Sequence, residues 1–203
     1  MRTEFIIGID EVGRGPLAGP LCLGVCAVER GKMRLCRRIF RGAKDCKQLS
    51  STEREAWFAA LQDAKREGVV RVVTTFVGSK AIDARGMARA LRVGVCRVLK
   101  KLCIEASACR VLLDGGLKAP ALFGEQKTII RRDETELLIA LASIAAKVRR
   151  DRHMVRLAKR FSAYGFEVHK GYGTKLHYTR LRQHGMCNIH RKTFIHKGLT
   201  TDA

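Results

Sequence analysis

The stretch IIGIDEVGRGPLAGP, residues 6–20, determines how the rest of this chain is interpreted. It opens with Ile-Ile-Gly-Ile, a continuous apolar run that predicts a buried β-strand. Two adjacent carboxylates, Asp10 and Glu11, follow at the end of this strand. A high density of glycine and proline then excludes a simple helix over residues 13–20. The stretch therefore predicts a strand that carries acidic side chains to an irregular loop.

An acidic pair at the end of a buried strand needs electrostatic compensation. A buried carboxylate is costly unless a cation offsets its charge or the proton is retained. Side-chain alternation would point Asp10 and Glu11 to opposite faces, so Glu11 would reach a shared cation over the strand edge. Gly13-Arg14-Gly15 adds accessible backbone amides and a guanidinium. The pattern favours metal-assisted phosphodiester chemistry. The alternative is a tight turn with a solvated acidic pair.

The charge of the chain points to a polyanionic partner. Forty Lys and Arg residues against 19 Asp and Glu residues give a net charge of +21. Within residues 147–197 there are 14 basic residues, only Asp151 and Glu167 as acids, and all six histidines. We expect this segment, including an exposed His190-Arg191-Lys192, to lie along a phosphate backbone. A merely solubilising surface is the alternative.

Composition also bounds the class of protein. A hydrophobic content of 46% supports a sizeable core. No apolar run is long enough to span a bilayer and the N-terminus lacks a secretory pattern, so we expect a soluble, cytoplasmic protein with no membrane partner. The eight cysteines include no C-x-x-C pair, which disfavours zinc and predicts mostly buried thiols in a reduced compartment.

Hydrophobic periodicity predicts alternating strands and helices beyond the opening stretch. Ser50 or Ser51, followed by Glu53, has the spacing of a helix N-cap. A turn over residues 29–32 suggests a hairpin partner strand after it. The other predicted strands span residues 20–28, 69–77, 110–113 and 126–131. Four helices are also predicted: the first begins after Ser50 or Ser51, the second spans residues 81–103, the third is opened by Asp133 and Thr135, and the last spans residues 175–184.

Six segments, in order along nearly the whole chain, resemble the type 2 ribonuclease H family (ribonuclease HII). They are DEVGRGPLAGP from Asp10, Asp45-Cys46-Lys47, IDARGMARA from Ile82, Asp114-Gly115-Gly116, ASIAAKVRRDRHM around Asp151, and HKGYGT around Tyr172. Cys46 departs from the serine usual in the second segment, and Gly86 from a frequent asparagine. The resemblance implies an α/β fold with a ribonuclease H-like mixed central sheet flanked by helices. We expect a single domain, 1–203, with residues from about 155 as a basic substrate-binding extension.

The resemblance also implies a catalytic set of four acids, Asp10, Glu11, Asp114 and Asp151. These would hold two Mg²⁺ or Mn²⁺ ions, since oxygen ligands favour these metals over zinc. The hypothesis makes Asp10 a bridging ligand, gives Glu11 and Asp114 to one metal, and gives Asp151 to the metal that activates water. The alternatives are an ordinary Asp-Gly turn at Asp114 and a salt-bridged helix surface at Asp151.

Substrate contacts are implied at a further set of positions: Gly13, Arg14, Gly15, Lys47, Ser143, Lys147 and Tyr172. Ser143, Lys147 and Asp151 are spaced i, i+4 and i+8, which puts them on one side of a helix. The Gly-Arg-Gly backbone would read a 2′-hydroxyl, the group that separates RNA from DNA. Tyr172 would stack on a sugar or base, with Tyr164 as the alternative exposed ring.

The implied reaction is endonucleolytic cleavage of the RNA strand of RNA–DNA hybrids and of single ribonucleotides embedded in duplex DNA. The cut would lie 5′ to the ribonucleotide and leave 3′-hydroxyl and 5′-phosphate ends. We expect a monomer. One rival is another two-metal nuclease, which would need its first acids spaced D-x-E. A second rival is a non-catalytic, basic nucleic-acid-binding protein, which would not explain acids at strand and helix ends.

Overall fold

A five-stranded mixed sheet, in the order β3-β2-β1-β4-β5, forms the centre of the computed structural model, which describes residues 4–43, 46–129 and 137–195. The strands are β1 Phe5–Val12, β2 Leu21–Glu29, β3 Arg71–Val77, β4 Cys109–Asp114 and β5 Glu125–Ile129. β2 pairs antiparallel with both β1 and β3, whereas β4 pairs parallel with both β1 and β5. The predicted mixed sheet is confirmed. β1 occupies its centre, as its apolar character requires.

Helices cover both faces of the sheet. They are α1 Met33–Ile39, α2 Ser51–Arg66, α3 Ser79–Leu102, α4 Leu137–Ala158, α5 Phe166–His169 and α6 Lys175–His184. The apolar side of α3 packs with Ile7, Ile9 and Leu23 on one face. α1, α2 and α4 share a second core on the other face. No helix within the described ranges has the length and apolarity needed to cross a membrane.

Two strand glycines let α4 approach the sheet very closely. A Cβ atom on Gly24 would lie 2.2 Å from the carbonyl oxygen of Ala142, and one on Gly8 would lie 2.3 Å from the carbonyl carbon of Leu138. Real Cβ atoms do not come this near to backbone, so only glycine fits at either position. The close packing fixes the height of α4 above the end of β1.

Local signals explain most element boundaries. Ser50 is the N-cap of α2, and its hydroxyl and the Glu53 carboxylate form a reciprocal capping box. The expected hairpin strand after residue 32 is wrong, because α1 follows there and buries Cys36 against the second core. The last helix, Lys175–His184, is as predicted, and Thr174 caps it. The predicted helix start at Asp133 and Thr135 lies outside the described residues, as do the last two residues of the predicted 126–131 strand.

The C-terminal part of the chain packs onto the loop that follows β1. The amides of Leu17 and Ala18 donate to Gly171 O at 2.8 and 3.2 Å, and Gly19 N donates to Ile189 O at 2.9 Å. The loop is therefore held between two C-terminal segments through backbone hydrogen bonds, which depend little on side-chain identity.

Candidate active site

Sheet topology brings two of the predicted acids together. In the parallel ladder between β1 and β4, Ile9 pairs with Leu113, so Asp10 and Asp114 follow side by side at the same sheet edge. Asp10 is only 3% exposed and accepts a hydrogen bond of 2.8 Å from the Glu11 amide. The arrangement is the strand-end acid cluster that the sequence predicts.

Glu11 reaches the same region, although strand alternation would send it to the other face. Its Oε1 lies 2.6 Å from Arg14 Nε, while its Oε2 is buried and has no hydrogen-bond partner among the residues that the structure describes. A buried carboxylate oxygen without a partner is costly, and a cation would satisfy it.

The electrostatics of the cluster favour a positive ligand. Burial, followed by the Glu11 carboxylate, raises the pKa of Asp10 from 3.8 to about 7, and Asp114 adds to the rise. Hydrogen bonds from Ser143 and from the Glu11 amide oppose it in part. Burial also raises the pKa of Glu11, despite the adjacent Arg14 guanidinium. These carboxylates are destabilised in their ionised form until a cation compensates them.

The remaining acid, Asp151, lies on α4 and is paired with a lysine. Lys147 Nζ lies 3.0 Å from both carboxylate oxygens of Asp151, as their i, i+4 spacing allows. Asp151 lines a neighbouring cleft of about 420 Å³ together with Arg54, Arg152 and Lys170. Within the described ranges, no three Asp, Glu, His or Cys side chains are grouped closely enough to hold an ion by themselves. For the four predicted acids to hold a metal, their carboxylates would therefore have to come closer together, and Asp151 would have to separate from Lys147.

One cavity of about 330 Å³ collects every predicted site residue except Asp114 and Asp151. Its lining comprises Asp10, Glu11, Val12, Gly13, Arg14, Gly15, Cys46, Lys47, Ser143, Lys147 and Tyr172. Carboxylates thus lie beside basic side chains and the glycine loop. Cys46, the departure from the family pattern, is buried here, and its Sγ lies 3.0 Å from Ser143 Oγ. Asp45 lies outside the described residues.

The two candidate tyrosines have different environments. Tyr172 is 37% exposed, and its ring centroid lies 5.6 Å from Lys147 Nζ and 5.4 Å from Arg150 Cζ. Tyr164 is buried, with its ring stacked on Phe166 at a centroid distance of 5.3 Å. Tyr172 is therefore the ring available at the cavity.

Three of the C-terminal histidines are structural. His169 and His177 stack with ring centroids 4.3 Å apart, and His177 Nε2 lies 3.0 Å from His190 Nε2. Gly171 N donates to His169 Nδ1, and His177 Nδ1 donates to Tyr172 O at 2.9 Å. Burial lowers the pKa of both His177 and His190 to about 4, so these rings are neutral at pH 7. The cluster supports the turn that presents Tyr172.

Sequence reasoning missed Arg150 and misplaced Arg191. The prediction of an exposed His190-Arg191 pair is wrong, because His190 is 3% exposed and Arg191 is fully buried. Arg150 is also fully buried. Both guanidiniums donate to backbone carbonyl oxygens of residues 13–20. No local signal marks them, since the acceptors are more than 100 residues away along the chain.

A family model for ribonuclease HII matches residues 7–197. The chain belongs to the ribonuclease HII family. Ribonuclease HII of Caldicellulosiruptor bescii is 38% identical over 192 residues, which cover 95% of this chain and 87% of the relative. That of Endomicrobium trichonymphae is 38% identical over 189 residues, 93% of this chain and 84% of the relative. Membership identifies a ribonuclease H-type endonuclease, a hydrolase that acts on nucleic acid, and disfavours a non-catalytic binding protein.

Solved structures agree with the fold. Ribonuclease H2 from Pyrococcus horikoshii superposes with a TM-score of 0.70 at 26% identity, covering 93% of each chain. The ribonuclease HII of the Archaeoglobus fulgidus PCNA complex gives 0.72 at 24% identity, covering 95% of this chain and 96% of its own. Bst-RNase HIII, solved with Mn²⁺, gives 0.61 at 19% identity, covering 91% of this chain and 64% of its own. The predicted ribonuclease H-like architecture is confirmed.

Proposed function

We propose that this ribonuclease HII family member cleaves the RNA strand of RNA–DNA hybrids and cuts duplex DNA 5′ to single embedded ribonucleotides. The products would carry 3′-hydroxyl and 5′-phosphate ends. The observation that carries the proposal is the pair of strand-end carboxylates, the buried Asp10 and the largely buried Glu11, in one cavity with Arg14, Lys47 and Lys147. Carboxylates and cations side by side suit a substrate that brings phosphate to bound metal.

The donor set fits Mg²⁺ or Mn²⁺. The groups are carboxylate oxygens, and in the described part of the chain the buried Glu11 Oε2 has no hydrogen-bond partner. We propose that Asp10, Glu11, Asp114 and Asp151 hold two divalent ions. When bound, such ions supply an activated water and stabilise the leaving oxygen. The central role proposed for Asp10 among these ligands is supported by the carboxylates of Glu11 and Asp114, which both raise its pKa.

The protein groups around the acids would bind and orient the substrate. The Gly13-Arg14-Gly15 backbone is proposed to contact the ribose 2′-hydroxyl, with the Arg14 guanidinium beside the adjacent phosphate. Tyr172 is proposed to stack on the following sugar. Lys47, which lines the same cavity, would neutralise the phosphate backbone.

The site also bears on assembly and domain structure. One chain supplies every residue of the cavity, so we propose that a monomer suffices for catalysis. We further propose a single domain, because the C-terminal extension donates and accepts backbone hydrogen bonds with the loop of residues 13–20.

The test uses a DNA duplex with one ribonucleotide and a fully hybrid duplex, each with Mg²⁺, Mn²⁺ or EDTA. We expect a metal-dependent cut 5′ to the ribonucleotide. Cleavage of the hybrid alone would refute junction recognition, and cleavage in EDTA would refute metal dependence.

Asp114→Asn isolates the role of the acids. It should lose at least about 100-fold in turnover and bind the substrate as well as before, because less negative charge faces the phosphate. Asp63→Asn is the matched control, since Asp63 is exposed on α2, where it pairs with Arg66. Full activity in Asp114→Asn would remove Asp114 from the catalytic set.

A further inference from the structure

Two buried guanidiniums lie behind the loop that lines the cavity. Arg150 and Arg191 have no exposed surface, and backbone carbonyl oxygens accept their hydrogen bonds. Burial, followed by the neighbouring Arg150, lowers the pKa of Arg191 to about 10, so its side chain remains cationic at neutral pH. Burying a charge is unfavourable unless its hydrogen bonds are well made, which suggests that these contacts serve a purpose beyond stability.

Arg191 fixes the loop after β1 at four points. Its Nη2 donates to Gly13 O at 2.7 Å, its Nη1 to Arg14 O at 2.8 Å, and its Nε to Gly19 O at 3.0 Å. Its backbone amide donates to Leu17 O at 2.7 Å. A planar guanidinium presents its donors at fixed angles, so it holds three carbonyls in one relative geometry.

These hydrogen bonds from Arg191 determine where the loop amides point. In a trans peptide the N–H points opposite to the C=O, and the described chain has no cis peptide. Because the carbonyls of Gly13 and Arg14 face Arg191, the amides of Arg14 and Gly15 face away from it. Within the described residues, neither amide donates to a protein acceptor. Hydrogen bonding of the carbonyls to a cation also polarises these peptides and strengthens their N–H groups as donors.

Arg150 connects the same loop to the segment that carries Tyr172. Its Nε donates to Pro20 O at 3.0 Å and its Nη2 to Ala18 O at 3.3 Å. Its Nη1 donates to Lys170 O at 3.1 Å. The two guanidiniums together hold the loop and the Tyr172 turn on either side of the cavity.

We propose that Arg191 is a positioning residue for ribonucleotide recognition, which holds the Gly13-Arg14-Gly15 backbone in the geometry that reads the 2′-hydroxyl and its phosphate. Arg150 performs the corresponding task between the loop and the Tyr172 turn. The inference rests on the proposed function, since it concerns how that site selects its substrate. The side chains of Arg150 and Arg191 are fully buried and would not touch the substrate themselves.

The test compares wild-type protein with Arg191→Lys and Arg191→Met. Arg89→Met is the control, because Arg89 is exposed on α3, outside the proposed substrate-binding extension, and its loss changes the net charge equally. Binding in EDTA is measured for a DNA duplex with one ribonucleotide and for the same duplex in all-DNA form, and KM and kcat are measured with Mg²⁺. Thermal unfolding establishes that each variant is folded.

We expect both Arg191 variants to lose about tenfold or more of the preference for the ribonucleotide duplex, and KM to rise by a similar factor. Binding of the all-DNA duplex should change little, and Arg89→Met should keep the wild-type preference. Lysine should not restore it, because one ammonium cannot span three carbonyls. If Arg191→Met does not fold, Arg191→Lys carries the test because it keeps the buried charge.

Two results with the Arg191 variants would overturn the inference. One is an unchanged preference in folded Arg191 variants. The other is an equal loss of affinity for both duplexes, which a merely structural role would produce. A wild-type protein that cleaves neither duplex would instead refute the proposed function, so the two failures are distinguishable. A wild type that cleaves but binds both duplexes equally would also overturn the inference.

Discussion

Replacing Asp10 with asparagine should stabilise the metal-free protein at neutral pH. The pKa of Asp10 is about 7 in the folded protein and 3.8 ordinarily, so the folded state holds its proton more tightly than the unfolded state. Stability from this group is present at low pH and is lost as pH rises from about 4 through 7. This difference between the folded and the ordinary pKa of Asp10 corresponds to at most about 4 kcal/mol in the free energy of unfolding. Because asparagine keeps an oxygen for the Glu11 amide, we expect a gain of about 2–4 kcal/mol.

The assay is urea unfolding of wild type and Asp10→Asn in EDTA at several pH values. The advantage of the variant should vanish near pH 4 and be full at about pH 8, and Mg²⁺ should stabilise only the wild type. Asp83→Asn is an opposite control, since Asp83 accepts hydrogen bonds from Lys192 N, Thr193 N and Thr193 Oγ1 and should lose stability. A variant less stable than wild type in EDTA at pH 8 would refute the electrostatic reasoning.

Three further outcomes concern the histidine cluster, the packing of α4 on the sheet and the charge of the chain. The pKa values of His177 and His190 are lowered to about 4, so their contribution to stability should be lost as pH falls from about 6.5 to 4, and His177→Asn should flatten that dependence in urea unfolding. Gly24→Ala should lose about 3 kcal/mol or more by pushing a methyl group against Ala142 O, whereas Gly31→Ala, with open space around it, should stay within about 0.5 kcal/mol. Substrate binding should weaken steeply with salt concentration, and a flat response would show that the +21 charge is not used in binding.

Local patterns were sufficient for most of the elements. The Ser50 capping box and the alternating strand of residues 69–77 carry their signals within a few residues. The missed helix α1 also has a signal, since Met33, Cys36 and Phe40 are spaced i, i+3 and i+7 and pack into one core. The helical pattern spans only seven residues and directly follows the turn predicted for residues 29–32, which favoured a hairpin strand instead.

The geometry of the site depends on contacts that no local pattern contains. Asp10 and Asp114 meet only because β1 and β4 pair in parallel with Ile9 opposite Leu113. The resemblance to ribonuclease HII supplied that pairing of acids, which periodicity alone could not. Neither periodicity nor the family resemblance predicts that Arg191 is buried, because its acceptor Gly13 O is 178 residues away. The sequence His190-Arg191-Lys192 does not distinguish a buried arginine from an exposed one.

The acid cluster and the buried arginines both carry desolvated charge, and they differ in how that charge is compensated. Asp10 and Glu11 are destabilised by their burial, and Arg150 and Arg191 are desolvated cations that donate hydrogen bonds to backbone carbonyls. Divalent cations would compensate the first pair, and the oriented amides of the loop would bind the phosphate that such cations attract. Removing the acid should therefore stabilise the empty protein, whereas removing the guanidinium should destabilise it and leave buried carbonyls without donors. Opposite signs of these two changes, measured in EDTA, would show that the acids lack compensation in the metal-free protein, whereas the guanidiniums hold the loop in place before any ligand binds.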